Sequence, residues 1–230
     1  MTKHIGIVAC STEGAALCYR TISLVGAELM GRHAHPQVSL HSHPLSEYMK
    51  CIDADSWQGV ANLMLSSTHK VAQTGADFAI CPDNTIHQAL DFFKETSPIP
   101  WLHIAEEVGA EANRRGFKRL AILGTKYLME GPVYPSRLEP LGLDYRIPNL
   151  EERIRINDHI FDELVYGRLT DEARAFFVKV ITRLQTEEGC DAAVLGCTEI
   201  PLLISDADSP VPTLDSTRLL ARAAVQYALR

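Results

Sequence analysis

Alternating short apolar runs and longer helical stretches predict an α/β fold of two similar lobes, each a mainly parallel sheet flanked by helices. Three observations carry this reading. The runs are short, apolar on both faces and bounded by turn residues, as strands of a covered parallel sheet require. Helical spacing follows almost every one of them, which is the β-α rhythm of parallel crossovers. The units are too many for one sheet, and the rhythm breaks at Ser97–Trp101, where Pro98 and Pro100 interrupt it.

Taken in order, His4–Ala9 reads as the first strand, and Glu13–Met30 as a helix through Leu17, Ile22, Val25 and Leu29. Gln37–Ser42 reads as a second strand, and Asp55–Thr74 as a helix with Val60, Leu63, Met64 and Val71 on one side. Phe78–Cys81 is a third strand, followed by a helix over Ile86–Lys94. The second half repeats the pattern: a strand at Trp101–Ile104, a helix at Glu107–Arg115 closed by Gly116, and strands at Leu120–Leu123 and Leu143–Ile147. Asp171–Gln185 carries Ala173, Phe176, Phe177, Val180, Ile181 and Leu184 at three- and four-residue steps, the signature of an amphipathic helix. Strands at Ala192–Leu195 and Val211–Leu214 and a helix at Ser216–Leu229 complete the chain. The expected division is an N-terminal lobe over 1–98 and a C-terminal lobe over 99–215, with the last helix, 216–230, returning to the first lobe.

Composition narrows the function classes. The chain has 230 residues, 46% hydrophobic and 22% charged, with a formal net charge of −7. Lys and Arg are scattered rather than gathered in a stripe, so nucleic acid and anionic membrane are not expected partners. No apolar run is long enough to span a bilayer, and Met1-Thr2-Lys3-His4 leads straight into a strand without a signal-peptide pattern. Six cysteines occur without a Cys-x-x-Cys pair, so reduced thiols and a cytoplasmic setting are expected.

In open α/β sheets ligands collect beyond the carboxyl ends of the strands. Four such ends carry small polar turns: Cys10-Ser11-Thr12-Glu13, Cys81-Pro82-Asp83-Asn84-Thr85, Gly124-Thr125-Lys126-Tyr127 and Gly196-Cys197-Thr198-Glu199. Each turn alone is matched by ordinary helix capping. Two of them, in corresponding places of the two halves, hold an acid/base residue, Asp83 and Cys197. A base and an acid on opposite sides are what proton exchange at a carbon next to a carboxylate needs. Cys197, ahead of a helix start, would gain from the helix dipole as a thiolate, whereas the bland reading makes it a small buried hydrophobe. No His is placed to activate it as a nucleophile.

The same residues carry a family resemblance. Val194-Leu195-Gly196-Cys197-Thr198-Glu199-Ile200-Pro201-Leu202 resembles the second-cysteine motif of the aspartate/glutamate racemases (the Asp/Glu/hydantoin racemase superfamily). Asn84-Thr85-Ile86-His87 resembles the first-site motif. Leu123-Gly124-Thr125-Lys126-Tyr127, with Met129-Glu130-Gly131 and Tyr134, resembles the central segment. Ile160-Phe161-Asp162-Glu163-Leu164 and Leu214-Asp215-Ser216-Thr217-Arg218 resemble the later helix and the C-terminal signature. The resemblance implies two pseudo-symmetric lobes with the active site in the cleft between them, no pyridoxal phosphate, no metal and often a homodimer. It implies deprotonation at Cα by one acid/base residue and reprotonation by its opposite. Asn84, Thr85 and Thr198 would hold the substrate carboxylate, and Ser11 and Thr12 would close the pocket. Thr125 is a further substrate-binding candidate, and Glu199 is read as orienting Thr198 or a substrate ammonium group, or else as an ordinary first-turn acid. It also places His43 to Tyr48 near the substrate side chain.

Three positions depart from the pattern. Asp83 stands where the first catalytic cysteine belongs, and Cys81, two residues earlier, is expected on the strand and turned away. The first loop is not glycine-rich, and Leu220 stands where His is common. The expected function is a cofactor-independent racemase or epimerase of an acidic amino acid. Cys197 works on one face, and Asp83 on the other, directly or through Thr85 or a water. The alternatives are a single-cysteine lyase or isomerase of a small dicarboxylate, or a catalytically impaired carboxylate-binding homologue. The histidines His33, His35, His41 and His43 supply two ligands on one strand face at most, short of a metal site. His87 reads as a packed or capping histidine, and Gly124 and Gly196 form no dinucleotide fingerprint.

Overall fold

The computed structural model describes residues 2–230. Contacts divide the chain into two compact units, Met1–Ile104 with Thr217–Arg230, and Ala105–Ser216.

In the first unit β1 (Ile5–Ala9) leads into α1 (Thr12–Met30), β2 (Val38–Ser42), α2 (Leu45–Asp53), α3 (Trp57–Gln73) and β3 (Phe78–Ile80). The sheet order is β2-β1-β3, and both pairings are parallel, with Ile5 opposite Val38 on one side and Phe78 on the other. Every residue of β1 is buried, because helices cover both faces of this strand. On one face Ile5, Ile7 and Ala9 join Cys18, Ile22 and Val25 of α1 in a core that also takes in Leu220, Ala221, Ala224 and Val225 near the chain's end. On the other face α3 lies so close that a Cβ on Gly6 would stand 2.7 Å from the Val71 Cγ2 atom. After β3 the chain forms a 3-10 helix, Thr85–Phe92, where the sequence spacing suggests an α-helix. Residues 100–102 stay with this sheet: Ala79 N–H donates to the Pro100 carbonyl, and Trp101 forms a single parallel bridge with Ala79.

The second unit repeats this topology. After α4 (Ile104–Arg115) come β4 (Arg119–Leu123), α5 (Lys126–Glu130), α6 (Pro135–Leu138), β5 (Asp144–Arg146), α7 (Leu150–Asp162), α8 (Asp171–Glu188), β6 (Ala192–Leu195), α9 (Ile200–Leu203) and β7 (Thr213–Asp215), whereas α10 (Ser216–Ala228), which follows, belongs from Thr217 onward to the first unit. The sheet order is β5-β4-β6-β7, all parallel. β4 and β6 thus correspond to β1 and β3, and the pairing of β7 with β6 to the lone bridge at Trp101. α8 starts at Thr170, whose hydroxyl accepts from Ala173 N–H, and ends at Gly189 in the left-handed region (φ 69°). Its inner face, Phe177, Val180, Ile181 and Leu184, packs with Ile156 and Ile160 of α7 and with Ala193 and Leu195 of β6. Among the described residues no helix is long and apolar enough to cross a membrane.

Phe177 is fully buried at the centre of this packing. Phe177→Ala is expected to lower unfolding free energy by about 3–5 kcal/mol, read from urea or thermal denaturation.

Candidate active site

The strand-end turns are built differently in the two units. In the second unit β4 and β6 end side by side, and Gly196 N–H donates to the Leu123 carbonyl at 2.7 Å. A Cβ on Gly196 would stand 2.8 Å from that carbonyl oxygen, and one on Gly124 3.1 Å from the Gly196 oxygen. The two glycines therefore serve a close backbone approach. Thr125 follows as the N-cap of α5, its hydroxyl accepting from Leu128 N–H at 3.2 Å.

Cys197 follows Gly196 and is buried. Its Sγ donates to Glu199 Oε2 at 2.9 Å, and the Thr198 hydroxyl donates to the same oxygen at 2.7 Å. Thr198 and Glu199 are buried as well. The sequence points to a helix dipole acting on Cys197, but α9 has four residues and begins three positions later, at Ile200. So short a helix has little dipole to offer. The thiol's hydrogen bond goes instead to a carboxylate, that of Glu199. A thiol paired with a carboxylate has a built-in proton acceptor. The sequence offers Glu199 as a partner of Thr198 or as an ordinary first-turn acid; its burial and its shared oxygen add the contact with Cys197. The carboxyl end of β6 is fixed further by Ser216, whose hydroxyl donates to the Leu195 carbonyl at 2.9 Å and is hydrogen-bonded to the buried Tyr134.

In the first unit Ser11 is the N-cap of α1 and accepts from Gly14 N–H at 3.2 Å, while Thr12 is exposed at the helix start. Beyond β3, Asp83 Oδ1 accepts from Ile86 N–H at 3.2 Å, across the first turn of the 3-10 helix. Asn84 and Thr85 beside it are buried. Cys81 is fully buried, and its Sγ lies 3.8 Å from the Asp83 carbonyl oxygen, beneath the turn. Burial, and then the neighbouring Asp83, push the Cys81 thiol well above its ordinary value, so it stays protonated. The phenol of Tyr48, fully buried on α2, lies close to Ser67, Cys10, Cys81 and Asp83. Burial first, then the two thiols, drive its pKa up.

Of the predicted residues, Cys197, Thr198 and Glu199 form one hydrogen-bonded cluster with Thr125 on the adjoining strand end. Asp83, Asn84 and Thr85 form one turn in the other unit, with Ser11 on the adjoining strand end. The histidines at the end of β2 and just beyond it are engaged by the neighbouring helices: His41 meets Ser67 at 2.9 Å and Lys70 at 3.0 Å, and His43 meets Ser66 at 3.3 Å and Glu47 at 3.7 Å. No group of three or more His, Cys, Asp or Glu side chains among the described residues could hold a metal ion.

Repeated parallel α/β units with polar side chains at their strand ends define the fold class, and one of these ends bears a buried thiol–carboxylate pair. The sequence pattern of the Asp/Glu/Hydantoin racemase family matches residues 6–224, and the chain belongs to that family. A Yersinia pestis protein, solved as a candidate Asp/Glu racemase, is 30% identical with a TM-score of 0.90, over 99% of this chain and 100% of that one. An aspartate racemase homologue from Pyrococcus horikoshii OT3 is 28% identical with a TM-score of 0.87, over the whole of both chains. The broad specificity amino-acid racemase RacX of Bacillus subtilis (strain 168) is 21% identical over 196 residues, 85% of this chain and 83% of RacX.

Replacing Glu199 by Gln removes the acceptor of the thiol proton and keeps the shape. Because a carboxylate that accepts the thiol's hydrogen bond disfavours the thiolate, alkylation of Cys197 by iodoacetamide at neutral pH, followed by mass spectrometry, is expected to quicken several-fold in Glu199→Gln.

Proposed function

We propose that this protein is a cofactor-independent racemase or epimerase that exchanges the Cα proton of an acidic amino acid. Cys197 is the acid/base residue on one face and Asp83 on the other. The single observation that carries the reading is the buried Cys197–Glu199 hydrogen bond at 2.9 Å. Passing the thiol proton to Glu199 leaves a thiolate able to take the Cα proton, and its return regenerates the acid. Thr198 steadies Glu199 from the same side. Asn84, Thr85 and Thr198 bind the substrate carboxylate; Ser11, Thr12 and Thr125 complete the binding set. Membership of the Asp/Glu/Hydantoin racemase family and the likeness to an aspartate racemase homologue of Pyrococcus horikoshii OT3 favour an acidic side chain, while the likeness to the broad specificity RacX calls for a wide test panel.

A second reading, a one-sided lyase or isomerase of a small dicarboxylate, is favoured by one observation. Asp83 stands where the family pattern has a cysteine, and its carboxylate is engaged by Ile86 N–H as a turn cap would be. A carboxylate titrates near pH 4 in water, so at neutrality it is a better base than acid. An enzyme that needs only the Cys197 side would tolerate that substitution.

Incubation with a panel of amino acids and dicarboxylates in deuterated water separates these readings. The racemase is expected to exchange Cα protons and interconvert D and L forms; consumption of a dicarboxylate without exchange would establish the second reading. Cys197→Ala is expected to keep the fold and lose at least about a hundredfold in exchange. Asp83→Ala is expected to lose exchange from one enantiomer only, and Asp83→Cys to make the two directions more alike. Equal exchange of both enantiomers in Asp83→Ala would remove Asp83 from the mechanism.

A further inference from the structure

The Asp83 turn is held from behind by a histidine that the proton transfer itself does not use. His87 is buried in the 3-10 helix, and its ring packs against His103 with centroids 4.7 Å apart. Its Nδ1 lies 2.7 Å from the Asp83 carbonyl oxygen. A carbonyl only accepts, so Nδ1 carries the hydrogen. Its Nε2 lies 3.4 Å from the Ile104 nitrogen, a backbone N–H that only donates. Nε2 is therefore bare, and the two backbone groups together select a neutral ring in the Nδ1–H tautomer. The peptide on the other side of Asp83 is held too, because the buried Thr217 hydroxyl donates to the Pro82 carbonyl at 3.5 Å. With both flanking carbonyls tethered and Oδ1 on Ile86 N–H, the Asp83 side chain leaves the backbone in a fixed direction.

We infer that His87 is a positioning residue for Asp83. It ties the Asp83 carbonyl to the first residue of α4 and so aims the carboxylate, with Thr217 as the second tether. This assignment rests on the reading of Asp83 as the second acid/base residue. Proton transfer is steep in distance and angle, and a displacement of about 1 Å in a reacting group can cost a hundredfold. A histidine that merely fills the core would affect folding and both faces of the reaction alike.

The test uses shape-matched amides. In His87→Asn the side-chain NH2 stands in for Nδ1–H and keeps the Asp83 bond. In His87→Gln the longer amide reaches Ile104 and gives up Asp83. Exchange at Cα is followed separately for D and L substrate, beside Asp83→Ala. His87→Gln is expected to lower kcat about ten- to a hundredfold for the enantiomer that Asp83→Ala silences, with KM little changed and the other enantiomer's exchange intact. His87→Asn is expected to recover most of that loss, and Thr217→Val to show a milder one-sided loss. Equal losses for both enantiomers, or no rescue by Asn, would overturn the assignment. A one-sided loss in Asp83→Ala with wild-type rates in His87→Gln would sink His87 alone; no effect of Asp83→Ala would sink the reading beneath it as well. Long-range proton–nitrogen NMR of the unsubstituted protein gives a check that needs no substrate: His87 is expected as the Nδ1–H tautomer, and an Nε2–H ring would contradict the tether.

Discussion

Parallel pairing puts the carboxyl ends of neighbouring strands at the same edge of a sheet, and the rest of this molecule follows from that constraint. Pairing of β4 with β6 brings Leu123 opposite Leu195, so that the chain leaves both strands at one level. Gly124 and Gly196 then pass within a distance that leaves no room for a Cβ. Thr125 and Cys197 emerge from this pinch as neighbours. The first unit applies the same rule to β1 and β3, which delivers Ser11 and Asp83. Covering helices keep the inner strands β1, β3 and β6 apolar, so the turns beyond them are where polar side chains collect.

The two turns use their polar groups in different ways. At Cys197 the thiol and the Thr198 hydroxyl converge on one buried carboxylate oxygen, an arrangement in which a proton has somewhere to go. At Asp83 the carboxylate meets a backbone N–H, and the polar investment goes into the backbone through His87, Thr217 and Cys81. A side chain that does chemistry on a strained or short turn needs such support, since its direction is set by the peptides on either side. Under the proposed function, the difference between the turns is the physical ground for unequal behaviour toward the two enantiomers of a substrate.

Much of the fold was legible because its signals are periodic. Short apolar runs such as Ile5–Ala9 and Leu120–Leu123, and the three- and four-step pattern of α8, leave little choice of element. α2 went unread because Leu45–Asp53 buries only Tyr48 and Ile52 and follows Pro44 without a side-chain cap. Thr85–Phe92 has helical spacing, and its tightening into a 3-10 helix is a matter of backbone geometry that residue types do not encode. Strand-end logic was enough to place the candidates Asp83, Thr125 and Cys197 just beyond β3, β4 and β6. It could not find the contact between Cys197 and Glu199, since a first-turn Glu has a bland explanation. Nor could it find His87's hold on Asp83, since a histidine four residues along a helix reads as packing until both of its nitrogens are placed.

The central claim is that Cys197 and Asp83 act as separate acid/base residues on one Cα. The most direct measurement is early-time isotope partition in deuterated water, with each pure enantiomer of the best substrate followed by mass spectrometry. Two separate residues predict deuterium in the inverted product, with no protium carried across, and recovered substrate that gains deuterium only as its own face exchanges. Protium retained at Cα of the inverted product would mean that a single group carries the proton from face to face, and would contradict the account.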